Sequence, residues 1–304
     1  MTTSGPALVT GASGFAGSHL MDHLRDDGTA AVGWDRSVVD LLDRDVVRAR
    51  IQALRPSMIY HCAGAPHVGH AWADTTQALA SNVLATHYLL DAVRRAGMPC
   101  RILITGSATV YAASTRALSE DDPLLPNNPY GLSKLAQEQL GEHAGAEDGV
   151  DIVIARPFNH TGPRQRPAFA APNFARQFAM IEAGQTEPAL QVGNLDARRD
   201  LTDVRDTVRA YQLLMHAGRP GVTYNVCSGR AYAISELVDG LRARVRVKVR
   251  LEVKQDLLRR NDTPLLLGSP ARLQADTGWS PAISFDQMLD DLLDHWRDEV
   301  RPPA

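Results

Sequence analysis

The chain has 304 residues, 44% hydrophobic and 22% charged, enough for one large α/β domain or two lobes with an ample core. Its formal net charge of −3 argues against a sequence-independent nucleic-acid binder, and no apolar run approaches the ~20 residues that span a bilayer. Cys62, Cys100 and Cys227 are an odd, scattered set and the 10 histidines include no HExxH, so neither a disulfide framework nor a metal centre is expected. A reducing, cytoplasmic setting is expected instead, with no basic-plus-apolar signal peptide at the start.

In chain order, short apolar runs alternate with helical patterns. Strands are predicted at 7–10, 30–35, 58–62, 101–107 and 151–156, and helices at 15–27, 45–54, 71–96 and 130–143. Strands alternating with helices imply a mostly parallel, doubly wound α/β sheet with right-handed crossovers. After Pro157 the pattern loosens around Pro163, Pro167 and Pro172. Helices are then expected at 173–183, 203–217 and 235–244, and a strand at 223–227 that could return to the main sheet. The run 245–253 alternates valines with Arg246, Lys248 and Arg250 and reads as a half-exposed strand. The expected organisation is a larger domain of 1–158 plus about 201–228, interleaved with a smaller lobe of 159–200 plus 229–304.

Gly11-Ala-Ser-Gly14-Phe-Ala-Gly17 follows the first strand and opens a helix. Its glycines permit a tight turn and close approach of the backbone to a pyrophosphate at the helix N-terminus. Asp35 ends the second strand, 18 residues past Gly17. A carboxylate there accepts from ribose hydroxyls and repels a 2′-phosphate, which leans the cofactor toward NAD(H). Arg36 could hold that phosphate and keeps NADP(H) open. Asp40 and Leu41 stand where the adenine edge would lie, although Asp40 also reads as a plain loop acid.

Tyr130-Gly-Leu-Ser-Lys134 pairs one of only three lysines, against 29 arginines, with a tyrosine four residues before it. On a helix the two share a face. A phenol beside an ammonium group is expected to have its pKa lowered from about 10 toward neutrality, giving a usable proton donor. Asn128-Pro129 reads as N-cap and first helical residue, so the helix dipole would lower the phenol further. The plainer alternative is a partly buried tyrosine and a solvated lysine.

These motifs, with His61-Cys-Ala63-Gly64, Asn82-Val-Leu-Ala-Thr86 and Ser107 in the same order, resemble the extended short-chain dehydrogenase/reductase family, nucleotide-sugar branch, end to end. The resemblance implies a Rossmann-type domain that binds NAD(P) through Gly11, Ser13, Gly14, Phe15, Ala16, Gly17, Asp35, Arg36, Asp40, Leu41, Ala63, Gly64, Asn82, Thr105, Tyr130, Lys134 and Phe158. It implies a smaller lobe for a nucleotide-linked sugar. Ala155-Arg-Pro-Phe-Asn159-His-Thr-Gly-Pro163 and Val192-Gly-Asn-Leu-Asp-Ala-Arg-Arg199-Asp200 are similar to segments of GDP-mannose 4,6-dehydratases and of the reductases that follow them. By that similarity Asn159, Asn173, Val192, Arg199, Arg259 and Asp262, with Ser107, would meet the substrate. The chemistry suits arginine forks on phosphate oxygens, against the alternatives of surface ion pairs for Arg199 and Arg259 and a helix N-cap for Asn173.

Dehydratases of the family carry threonine, then aspartate or serine, then glutamate where this chain has Ser107-Ala108-Thr109-Val110-Tyr111. Ala108 cannot transfer a proton and Thr109 is a poor general base. Ser107, Tyr130 and Lys134 suffice for hydride transfer to a ketone. The expectation is therefore NAD(P)H-dependent reduction of the C4 ketone of a GDP-linked 4-keto-6-deoxyhexose by a homodimer built on helices 71–96 and 130–143. An NAD-dependent 4-epimerase would use the same three residues, and a non-catalytic cofactor sensor on this fold would typically lose the Tyr/Lys pair. Pro66, His67 and Ala71 depart from the small hydroxyl residues such reductases often show, which leaves the sugar open; His67 could touch the hexose or be structural.

Overall fold

The computed structural model describes residues 5–65, 72–257 and 263–301. Its elements run β1 (Ala7–Thr10), α1 (Phe15–Asp26), β2 (Ala31–Trp34), α2 (Arg44–Leu54), β3 (Met58–His61) and α3 (Thr75–Leu79). A single π turn (Ala80–Leu84) joins α3 to α4 (Ala85–Ala96), followed by β4 (Arg101–Thr105), α5 (Pro129–Asp148), β5 (Asp151–Pro157) and β6 (Asn159–Thr161). Then come α6 (Ala170–Glu182), β7 (Ala189–Val192), β8 (Arg198–Asp203), α7 (Val204–Ala217), β9 (Thr223–Val226) and β10 (Ala231–Ala233). The chain closes with α8 (Ile234–Ala243), β11 (Arg250–Val253), β12 (Leu265–Leu266), α9 (Ala271–Thr277) and α10 (Phe285–Glu299).

Six strands pair in the order β2-β1-β3-β4-β5-β9, every pair parallel. Both faces are covered, and the alternation of side chains along each strand explains how. Ala7, Val9, Leu103 and Val153 face Leu20 and Leu24 of α1, Tyr211 and Leu214 of α7, and Trp279. Leu8, Ile59, Ile102, Ile104, Ile152 and Ile154 face Val47 and Ile51 of α2, Leu89 and Val93 of α4, and Ala144 of α5. Each such fully buried Leu or Ile contributes roughly 1.5–3 kcal/mol. This is the doubly wound α/β sheet expected from the alternating pattern.

A third core lies in the second half of the chain, where Phe174 and Phe178 of α6 meet Leu190 and Val192 of β7, Leu237 and Leu241 of α8, and Leu289 and Leu293 of α10. Beside it, β8 pairs antiparallel with β10 and parallel with β12 and β6. No helix among the described residues is long and apolar enough to cross a membrane.

Three local expectations need correction. The helix expected at 71–96 is broken by the π turn, which inserts one extra residue per turn and turns Asn82 inward, fully buried. The strand expected at 245–253 is confined to Arg250–Val253, paired parallel with β7, because α8 is followed by a turn that consumes 245–249. The helix expected from 173 begins at Ala170 with Phe169 as N-cap, so Asn173 is inside it and caps nothing.

Candidate active site

The chain passes outward from β1 to β2, then back across β1 to β3. The topological switch therefore lies between the carboxyl ends of β1 and β3, where open α/β sheets bind ligands. Gly11 leaves β1 there at φ 70, a left-handed conformation suited to glycine. A Cβ at Gly11 would stand 2.8 Å from the Ala63 backbone, so β1 and the turn after β3 close on one another only through glycine. A Cβ at Gly17 would collide with the Gly11 carbonyl, and Gly14 N donates to that carbonyl at 2.9 Å. The first amides of α1, after the Gly14 N-cap, have no partner within the helix. Glycine-lined backbone and unpaired helical amides at the switch point fit a dinucleotide pyrophosphate, with Ser13 exposed at the loop tip.

Asp35 lies at the end of β2, and its Oδ1 accepts from Ser37 N at 2.9 Å, Ser37 Oγ at 2.6 Å and Val38 N at 3.2 Å. Those hydrogen bonds, led by the Ser37 hydroxyl, hold its carboxyl below the usual range and keep it negative. Oδ2 takes no part in this turn. Arg36 is exposed, its Nε 3.7 Å from Asp40 Oδ2; Asp40 Oδ1 accepts from Leu42 N, and Leu41 is buried. The acid is positioned as expected, and the neighbouring guanidinium stays available to either cofactor.

Asn128 caps α5, its Oδ1 accepting from Gly131 N at 2.9 Å, with Pro129 at the first helical position, as the sequence indicates. Tyr130 and Lys134 then point inward together. Lys134 is buried; its Nζ donates to Thr105 O at 2.7 Å and Gln137 Oε1 at 2.9 Å. The Thr105 hydroxyl donates to His61 O, tying β4 to β3. Asn82 accepts from Ala65 N at 2.9 Å and donates to Ser133 Oγ at 2.8 Å, so the π turn braces both the Ala63-Gly64 turn and the catalytic-candidate helix.

Ser107 begins a short 3₁₀ turn and lies beside the Tyr130 hydroxyl. Its Oγ accepts from Thr109 N at 3.2 Å and Thr109 Oγ1 at 2.9 Å, which leaves its own proton to donate. Thr109 is thus an orienting partner of Ser107. Ala108 is buried and inert. Glu138, one turn beyond Lys134, lies behind Gly106, where a Cβ would strike its carboxylate. It is clamped by Arg156, whose Nε donates to Oε2 at 2.8 Å while Nη1 reaches the Tyr111 hydroxyl at 3.0 Å. Burial raises the Glu138 carboxyl to about 7 against the pull of Arg156.

The expected acidification of Tyr130 is reversed. Its pKa is pushed up to about 12, first by burial; Ser107 opposes this and the Glu138 charge adds to it. The Lys134 charge is turned to Thr105 and Gln137 and is itself depressed to about 8 by desolvation. An i, i+4 spacing puts two groups on one face, but burial decides which charge is affordable.

On the smaller mixed sheet, Asn159 opens β6, exposed and alongside Leu201 of β8. Arg199 is half-buried, Nη1 donating to Arg198 O at 2.9 Å and Thr263 O at 2.7 Å. Asp200 beneath it accepts from Ser228 N and Oγ, Gly229 N and Gly268 N. Asn173 Oδ1 accepts from Gln177 Nε2 at 2.7 Å on the outer turn of α6. Val192 is a correction: its side chain is fully buried in the third core and offers a ligand no side-chain contact. Phe158 is likewise buried, against Tyr111 and Cys227. Arg259, Asp262, His67, Pro66 and Ala71 lie outside the described residues. Gln137, Glu138 and Arg156 were not singled out in the sequence; the available signal was that polar residues three and four positions after Lys134 share its inward face.

The GDP-mannose 4,6 dehydratase family matches residues 35–292. GDP-6-deoxy-D-mannose reductase of Pseudomonas aeruginosa is 38% identical over 303 residues, covering 97% of this chain and 98% of the relative. The solved structure of RMD from Pseudomonas aeruginosa complexed with NADPH superposes with a TM-score of 0.90 at 34% identity, over 97% of this chain and 100% of that one. UDP-glucose 4-epimerase of Thermus thermophilus, complexed with NAD, shares the fold, with a TM-score of 0.86 at 24% identity over 97% and 100% of the two chains. With a phosphate-type glycine loop at the sheet's switch point and Ser107, Tyr130 and Lys134 converging beside it, these likenesses run the length of the molecule, and the chain belongs to the nucleotide-sugar branch of the extended short-chain dehydrogenase/reductase family.

Proposed function

We propose that this protein reduces the C4 ketone of a GDP-linked 4-keto-6-deoxyhexose with NAD(P)H, in the manner of a GDP-4-dehydro-6-deoxy-D-mannose reductase. The observation that carries the reading is Ser107, Tyr130 and Lys134 gathered at the switch point, with Thr109 spent on Ser107 and, among the described residues, no free acid beside them. Glu138 is no substitute for a dehydratase glutamate, because Arg156 holds it behind the Gly106 backbone. The near full-length likeness to a GDP-6-deoxy-D-mannose reductase supports the same choice.

The dinucleotide, when bound along Gly11–Gly17 and Asp35, supplies the hydride. Ser107 Oγ–H and Tyr130 O–H hold the ketone oxygen and polarise it. With its pKa near 12, Tyr130 keeps its proton throughout the neutral range and gives it up only to the more basic alkoxide that develops. Lys134 holds a ribose hydroxyl, its other two protons being taken by Thr105 O and Gln137 Oε1. Asn159, Asn173, Arg199, Arg259 and Asp262 are the proposed guanosine-diphosphate contacts, which orient the sugar through its distant end. Asp35 leans the cofactor toward NAD(H), and Arg36 keeps NADP(H) open.

A homodimer through α3, α4 and α5 is part of the proposal, supported by exposed Leu79 on α3, Leu84 in the π turn and Leu132 on α5; sedimentation as a monomer would refute it. Function is tested by coupling a GDP-mannose dehydratase to the protein, following NADH and NADPH absorbance separately and identifying the sugar by NMR. Stoichiometric loss of reduced cofactor is expected. Inversion at C4 of the GDP-mannose supplied, without such loss, would select the 4-epimerase instead.

A further inference from the structure

An ammonium group carries three protons, and a buried one must place each of them. Lys134 is 5% exposed, and two of its protons go to Thr105 O at 2.7 Å and Gln137 Oε1 at 2.9 Å. Gln137 is itself fully buried. The next layer decides which end of its amide meets the lysine. Gln137 Nε2 donates to Thr86 Oγ1 at 2.8 Å. The Thr86 proton is committed to Asn82 O at 2.6 Å, so its oxygen can only accept, from Gln137 and from His61 Nε2 at 2.8 Å. His61 then accepts at Nδ1 from the Thr10 hydroxyl at 2.7 Å. Burial and the Lys134 charge depress its pKa to about 3 and keep the ring neutral. A reversed Gln137 amide would face NH₂ against the ammonium and oxygen against an oxygen with no proton to share.

We infer that Gln137 is a positioning residue: with Thr105 it takes two Lys134 protons and leaves the third for a ribose hydroxyl of the dinucleotide. The inference rests on the proposed reading of Lys134 as the ribose contact. The other groups facing the ammonium are Glu138 on its own helix, paired with Arg156, and Cys62 and His61 from the end of β3. The Cys62 thiol, pushed up to about 12 by burial, is uncharged.

The test uses the purified full chain, NADH and NADPH binding by fluorescence, and the pH profile of kcat/KM. Gln137→Met should weaken dinucleotide binding about tenfold, because Lys134 is no longer held with its third proton toward the ribose. It should also move the alkaline limb to lower pH, because the charged lysine has lost an acceptor. Gln137→Glu should move that limb to higher pH, because a carboxylate facing the ammonium favours its charged form. A merely structural role gives no such opposed displacements, and the Glu variant decides alone if the Met variant does not fold. Binding within twofold and an unmoved limb in every folded variant overturns the inference. Lys134→Ala separates the two layers: binding lost there but intact in the Gln137 variants removes only the Gln137 role, whereas binding intact in Lys134→Ala removes the reading of Lys134 beneath it.

Discussion

Lys134 makes opposite demands on stability and on activity. Its pKa is held at about 8 against an ordinary 10.5, with desolvation the leading cause and the Glu138 charge opposing it. Between those values the unfolded chain binds the lysine proton and the folded chain does not. Stability contributed by this residue therefore rises as pH climbs through the interval, and is lowest where the lysine is charged in both states. At about 1.4 kcal/mol per pH unit, the charged, buried lysine costs the fold roughly 3 kcal/mol at neutral pH. The assay is urea denaturation of the wild type and Lys134→Met at pH 7, 8, 9 and 10, without added dinucleotide and at fixed ionic strength. Groups other than Lys134 and its charged neighbour Glu138 titrate alike in both proteins and cancel in the difference, and Glu138 is ionised through most of the range. The acceptors orphaned by methionine, Thr105 O and Gln137 Oε1, add an offset that does not vary with pH. Stability of wild type minus variant should rise by about 2 to 3 kcal/mol across the range. A flat or falling difference would refute the argument that burial, more than any partner, sets the charge of this lysine.

Tyr130→Phe should cut turnover by about 10²-fold or more, the usual scale of a general acid, while leaving dinucleotide affinity nearly unchanged; near-normal reduction by that variant would sink the assignment. Activity of the wild type should fall as pH rises through about 8, where Lys134 loses its charge, in the same range where its stability contribution improves; a profile level to pH 9.5 would contradict this. Gly106→Ala drives a Cβ to 2.8 Å from Glu138 Cδ and into its carboxylate, so it should cost about 1–3 kcal/mol by urea denaturation and displace Ser107, lowering kcat. Arg156→Met leaves Glu138 buried and unpaired, an expected loss of about 3–5 kcal/mol at pH 8 that shrinks near pH 5.5 as the carboxyl protonates; equal losses at both pH values would count against the pair.

Local signals were sufficient for the parts of this protein that depend on neighbours in sequence. The glycine loop, Asp35 at the end of β2, the Asn128-Pro129 cap and the shared face of Tyr130 and Lys134 each follow from spacing and backbone chemistry over a few residues. The alternation of strand and helix patterns likewise carried the doubly wound sheet, because a strand buried on both faces must be apolar throughout. Tertiary structure decided what those groups are worth. Asn82 enters the site only because a π turn interrupts a helix whose periodicity reads as continuous. Val192 looked like a pocket residue and is spent on a core assembled from α6, α8 and α10. The charge states of Tyr130, Lys134 and Glu138 depend on water excluded by β3, β4 and the π turn, and on Arg156 arriving from β5. Desolvation and long-range ion pairing are properties of the packed whole, so the sequence could name the tyrosine and its lysine, and only the fold could say which of them carries charge.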